Sequence, residues 1–320
     1  MEMPSLKIGD RTARLPIIQG GMAVRISMAP LATAVASAGG IGVIAGSGLG
    51  VAELAEEVRR ARAATDGVLG VNVMVAVRKF AELVKAAISE GVDIVIAGAG
   101  FSRDVFEWTR DAGVPMVPIV GSERVAKLAE RFGAAAVIVE GNEAGGHLGT
   151  DESVRDLLPR IVEAVDVPVI AAGNIVTGAD IRDMLAMGAS GVQMGSRFAA
   201  TVESSAPEAF KRMYVAATED DIILIKSPVG LPGRALRNPF TERLARGDVP
   251  PIKACVACLK ACGKDYCIID ELQRAQQGDV DQGLVFAGRS VTRIHDVPTV
   301  KGLFDRLVSE YHAATGGAPA

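Results

Sequence analysis

A chain of 320 residues with 49% hydrophobic side chains is long enough for one barrel-sized domain and a smaller companion. Its net charge of -4, from 34 basic and 38 acidic residues, gives no broad positive field for a phosphodiester backbone, and 4% aromatics leave no stacking platform, so nucleic acid is not an expected partner. Gly, Ser or charge interrupts each apolar stretch before about 18 residues, and residues 1–16 hold no uninterrupted apolar core or cleavage site; no membrane span or secretory signal is expected, and the default location is cytoplasmic.

From residue 15 onward, apolar runs alternate with amphipathic stretches, and most of the 36 glycines follow the runs directly. The first predicted strand, 15–19, ends in Gly20-Gly21-Met22 and precedes a helix over 28–38. The second, 41–45, leads into Gly46-Ser47-Gly48 and a helix over 51–64, whose Glu53, Glu56, Glu57, Arg59 and Arg60 mark a solvated face. The third, 68–75, carries Asn72, and its helix covers 80–89. The fourth, 93–97, ends in Gly98-Ala99-Gly100 before a helix near 102–112; the fifth, 115–120, precedes a helix over 123–132.

The sixth run, Ala136-Val137-Ile138-Val139, passes into Glu140-Gly141-Asn142-Glu143-Ala144-Gly145-Gly146-His147, with a helix near 154–165. The seventh, 167–172, ends in Gly173-Asn174, and Thr177-Gly178-Ala179-Asp180 opens its helix in the manner of a capping box. The eighth, 191–194, ends in Gly195-Ser196-Arg197-Phe198. Eight strand-then-helix units before residue 200 predict a closed (β/α)8 TIM barrel over residues 1–200. The rhythm then stops, so residues 201–284 are read as a small, mainly helical lid domain inserted after strand eight, with 227–233 as a break. Residues 285–320 return to the barrel through a helix over 301–311, and 313–320 are expected to fray.

The sixth strand delivers two carboxylates and one of three histidines to the catalytic end of a barrel, where His147 suits proton transfer. Glu140 or Glu143 is placed to orient a cofactor or the imidazole, while His295 and His312 read as surface residues. Gly173-Asn174 and Gly195-Ser196 occupy the two loops where such barrels receive phosphate. The partial glycine fingerprints at 46–50 and 98–100 read as barrel turns, lacking the spacing of a dinucleotide site. No histidine and carboxylate share mononuclear metal spacing, but Cys255-x2-Cys258-x3-Cys262-x4-Cys267 holds every cysteine of the chain. So compact a run favours a [4Fe–4S] cluster, with zinc as the alternative.

Five ordered segments, Gln19-Gly20-Gly21-Met22-Ala23, Gly70-Val71-Asn72-Val73-Met74, 140–147, Ala171-Ala172-Gly173-Asn174-Ile175 and 194–198, together resemble the nitronate monooxygenase (2-nitropropane dioxygenase) superfamily. Residues 278–288 extend the likeness toward its FMN-dependent enoyl-ACP reductase II branch, and the cysteines are similar to those of its Fe–S-containing acyl-ACP dehydrogenase and isomerase members. The resemblance implies FMN, with Gly21 and Met22 facing the isoalloxazine and Asn72 hydrogen-bonding it. It implies that Gly173, Asn174, Gly195 and Ser196 hold the phosphate, that Glu140, Gly145 and Gly146 complete the cofactor site, and that His147 is the active-site histidine. Arg289 departs from the branch, which more often has Gln there. The expected function is hydride exchange between FMN and an ACP- or CoA-linked enoyl or acyl thioester, with NAD(P)H as candidate electron donor and a homodimer as candidate assembly. Nitronate oxidation is the alternative, and a flavin/Fe–S electron-transfer module is the alternative from another class.

Overall fold

The computed structural model describes residues 2–249, 251–252 and 254–316. Two short strands, β1 (Leu6–Ile8) and β2 (Arg11–Ala13), form an antiparallel hairpin at the start. Then follow β3 (Ile17–Gln19), α1 (Ala29–Ser37), β4 (Ile41–Ala45), α2 (Val51–Ala64), β5 (Val68–Met74), α3 (Phe80–Ser89), β6 (Ile94–Gly98) and α4 (Asp104–Asp111). The alternation continues with β7 (Met116–Val120), α5 (Glu123–Arg131), β8 (Val137–Glu140), the two-residue β9 (Gly146–His147), α6 (Val154–Ala164), β10 (Val169–Ala172), α7 (Gly178–Ala186) and β11 (Gly191–Met194).

All of these strands except the first two and β9 pair in parallel, in chain order, and β11 closes on β3 through Val192↔Ile17 and Met194↔Gln19. The result is the eight-stranded (β/α)8 barrel expected from the alternation. Three strands begin one or two residues later than the apolar pattern alone suggests, just after Pro16, Pro115 and Pro168, because proline has no N–H to give to the ladder. Serine or threonine side chains cap α5, α6 and α7 at Ser122, Ser153 and Thr177, and Thr177 forms the capping box with Asp180.

Ile18, Ile41, Val43, Ile94, Ile96, Val117, Ile138 and Ile170 fill the barrel interior, and Leu6, Ile8 and Ala13 of the opening hairpin join the same buried cluster. The hairpin therefore packs on the barrel's interior core. A second, larger core lies between the strands and their helices.

After β11 come α8 (Ser196–Ala199), α9 (Glu208–Ala216), β12 (Ile222–Lys226), β13 (Pro232–Leu236), α10 (Pro239–Ala245) and α11 (Ile268–Gln276), then α12 (Val300–Ala314). Strands β12 and β13 form a hairpin that adds antiparallel to β9, making a three-stranded sheet where helix and loop were expected. Tight burial of Ala235, Phe240, Tyr266 and Leu284 supplies a core separate from the barrel's. Helix α12 packs against α7 and α1, where the helix of the eighth strand belongs. It is ordered as far as Ala314; the expected fraying of 313–320 otherwise falls on 317–320, outside the described residues.

Candidate functional site

The C-terminal ends of the barrel strands open into a cleft of about 240 Å³. Gly21, Met22, Asn72, Glu140, Gly145, Gly146, His147, Gly173, Asn174, Gly195 and Ser196, which the sequence scatters over the ends of five strands and the loops that follow them, all line it. Parallel strands bring them together because each ends on the same rim. Gly21 lies against Asn72: a Cβ there would stand 2.4 Å from the Asn72 Cβ, so the side chain of Asn72 has its place only because residue 21 is glycine.

His147 belongs to β9, whose pairing with β13 sets Gly233 opposite it. Its Nε2 lies 2.8 Å from the Ser227 hydroxyl, and the Phe286 ring meets the imidazole edge-on at a centroid distance of 5.2 Å. Burial lowers its pKa to about 4, which favours the neutral ring at pH 7. Glu140 ends β8 deep in the same cleft, and burial pushes its carboxyl up to about 7.

Glu143 does something different. Its carboxylate accepts hydrogen bonds from the Ser153 hydroxyl at 2.5 Å and the Val154 N–H at 3.1 Å, holding the start of α6 against the loop. Its carbonyl accepts the Arg289 N–H at 2.9 Å. Arg234, buried in β13, donates to the Asn142 carbonyl at 2.7 Å and ties this loop to the hairpin. Both carboxylates line the cleft, but Glu143 is engaged in holding the loop.

Two features fit a bound cofactor. A Cβ built on Gly195 would meet no protein atom within 4 Å, and its φ is -98°, so neither packing nor backbone conformation requires glycine there. The space beside it fits a phosphate group approached by backbone N–H groups, with Gly173 and the left-handed Asn174 (φ 54°) alongside. Gln193, 7% exposed on β11, also lines the cleft and has a buried Oε1 with no protein hydrogen-bond partner. That residue escaped the sequence reading, although a polar amide inside an otherwise apolar strand was the available signal. Ser196, in contrast, already accepts the Gly288 N–H at 2.9 Å.

The cysteines do not meet the expectation of four ligands around one cluster. Among the described residues no three His, Cys, Asp or Glu side chains converge as a metal-holding group. Cys255 and Cys262 are exposed, Cys258 and Cys267 half-buried, and burial pushes the latter two thiols up, favouring the protonated form. Backbone pairing decides where this segment lies: Leu259 bridges Val77, and Arg78 donates to the carbonyls of Ala257 and Leu259 at the barrel rim. His295 and His312 stand apart from the cleft. Among the described residues, no helix is long and apolar enough to cross a membrane.

The family model described as nitronate monooxygenase matches residues 5–310. The chain is 34% identical over 252 residues, 78% of its length and 70% of the relative's, to a (3aS,4S,5R,7aS)-5-hydroxy-7a-methyl-1-oxo-octahydro-1H-indene-4-carboxyl-CoA dehydrogenase of Mycobacterium tuberculosis. Among solved structures, FabK from Thermotoga maritima is 32% identical with a TM-score of 0.85, covering 94% of each chain. A nitroalkane oxidase from Streptomyces ansochromogenes is 26% identical with a TM-score of 0.81, covering 95% of this chain and 97% of that one.

Proposed function

The chain belongs to the nitronate monooxygenase family, whose oxidoreductases depend in general on FMN, and from that premise we propose that it acts on an enoyl or acyl thioester, with His147 as the base. The observation that carries this reading is the His147 imidazole in the same cleft as the open space beside Gly195. The dehydrogenase named for a CoA ester and the structural likeness to FabK support the thioester. When bound, FMN supplies hydride or single-electron transfer.

Gly173, Asn174, Gly195 and Ser196 are proposed to hold the cofactor's phosphate, and Gly21, Met22, Asn72, Glu140, Gly145 and Gly146 to surround its ring. His147 takes a proton from the carbon next to the thioester carbonyl during dehydrogenation and returns it in the reducing direction, with NAD(P)H as the proposed donor. Phe210, Leu272 and Leu284, contributed from residues 201–284, line the cleft, and this segment acts as a lid that limits water around the reacting carbon. A second reading, oxidation of a nitronate, draws on the family model and on the nitroalkane oxidase likeness.

The test is turnover by FMN-loaded protein on a 2-enoyl-CoA with NAD(P)H, and on the saturated acyl-CoA with an artificial electron acceptor, alongside a nitronate. Thioester turnover that falls at least about 100-fold in His147→Gln while flavin absorbance persists is the expected result. Turnover of the nitronate alone favours the second reading, and failure to bind FMN overturns both.

A further inference from the structure

We propose that Ser227 is the positioning residue of His147, holding the ring by Nε2 so that Nδ1 is the nitrogen offered to the substrate. This rests on the reading of His147 as a base and names the group that fixes its direction. The Ser227 hydroxyl is 2.8 Å from Nε2, and the residue is only 3% exposed. His147 is among the residues that line the cleft and Ser227 is not.

The serine is itself held by local structure. It opens the turn between β12 and β13, where the Gly230 N–H donates to its carbonyl at 3.0 Å and the Val229 N–H to its hydroxyl at 3.3 Å. The Gly263 N–H, from the cysteine segment, donates to the neighbouring Pro228 carbonyl at 2.8 Å, bracing the turn from outside. On the histidine's side, the Leu148 N–H donates to the Pro232 carbonyl at 2.9 Å, continuing the pairing of β9 with β13. Two residues 80 positions apart are therefore aligned by one small sheet.

In the proposed arrangement one lone pair of the serine oxygen takes the Val229 N–H and the other takes Nε2–H, leaving a lone pair on Nδ1. When Nδ1 gains a proton, Nε2–H keeps its acceptor, so the imidazolium stays paired. The opposite arrangement, with serine donating to Nε2, places a proton on Nδ1 and removes its capacity as a base.

The experiment uses the full chain with FMN and 15N-labelled histidine. There are three histidines, so the His147 ring is identified by its disappearance in His147→Gln. The expected wild-type spectrum shows a protonated Nε2 and a bare Nδ1 at pH 7. In Ser227→Ala both nitrogens move toward the averaged shifts of a ring exchanging tautomers, and kcat falls about 10- to 100-fold with KM within about twofold. Ser227→Thr restores the wild-type ring shifts, and circular dichroism confirms that each variant folds. Unchanged ring nitrogens in Ser227→Ala, or a wild-type ring carrying its proton on Nδ1, overturns the proposal. If the ring responds as expected but turnover survives His147→Gln, the positioning stands and the assignment of His147 as base falls.

Discussion

Burial moves the two ionisable groups of the cleft in opposite directions, His147 down to about 4 and Glu140 up to about 7. Around pH 5 to 6 the imidazole is free base and the carboxyl is mostly protonated, so this end of the cleft is uncharged and suited to an apolar acyl chain. The two shifts also leave opposite marks on stability. For His147, stability present above the unfolded value near 6.5 is lost as pH falls toward 4. For Glu140, stability present below 4.5 is lost as pH rises through about 7, because the folded state must then hold a desolvated carboxylate. Glu140→Gln removes that second cost. Urea unfolding of the flavin-free variant should match wild type at pH 4 and exceed it on the order of 3 kcal/mol at pH 8. Equal stability of the two proteins at both pH values would show that the carboxylate is solvated after all.

At the level of elements, the return of the chain to the barrel depends on one close approach. Helix α12 crosses the start of α7 so tightly that a Cβ on Gly178 would lie 2.0 Å from the Leu307 carbonyl oxygen and 2.3 Å from the Tyr311 nitrogen. The Gly178 N–H also donates to the Glu310 carboxylate at 2.7 Å, which joins a helix N-terminus to a negative charge. Gly178→Ala must displace α12 by backbone movement, and a loss of about 1–3 kcal/mol or more in thermal or urea unfolding is expected. Loss below about 0.5 kcal/mol would mean that α12 slides freely on α7. The β12–β13 hairpin illustrates the limit of local pattern. Its first strand, Ile222-Ile223-Leu224-Ile225-Lys226, is a run of β-formers that does not alternate, and its edge position leaves Leu224 59% exposed, so neither period distinguishes strand from helix.

At the level of the whole molecule, barrel and insertion contribute separate walls to one cleft, so a cofactor seated there links them. Ligand binding to the folded state alone stabilises by mass action, about 2.7 kcal/mol at a hundredfold excess over Kd. Saturating FMN should therefore raise the melting temperature of flavin-free protein by several degrees. Gly195→Val has open space in the flavin-free protein, so it should leave that lower melting temperature unchanged and abolish the rise. A variant that melts lower without flavin would instead make Gly195 a packing residue, and one that keeps the full rise would move the phosphate elsewhere.

Much of the barrel was legible in the sequence for a physical reason: strands covered on both faces must be apolar along their whole length, and each must turn sharply at the rim, so Val, Ile and Ala runs end in glycine. The rim loops also carry the chemistry, which is why Glu140, His147 and Gly195 could be picked out from position before they were seen lining one cleft, whereas Asn72 was marked by the family resemblance. Partnership across distance was not legible. Nothing local to His147 points to Ser227 or Phe286, because their contact exists only once β13 pairs with β9. Likewise the spacing of Cys255, Cys258, Cys262 and Cys267 counts residues along the chain, whereas ligation needs convergence in space, and there the pairing of Leu259 with Val77 governs the segment. The sequence by itself determined a barrel and the set of groups on its rim, through periodicity and turn chemistry. Only the tertiary structure decided which of them act on one another, since the direction of a side chain is set by the elements packed around it.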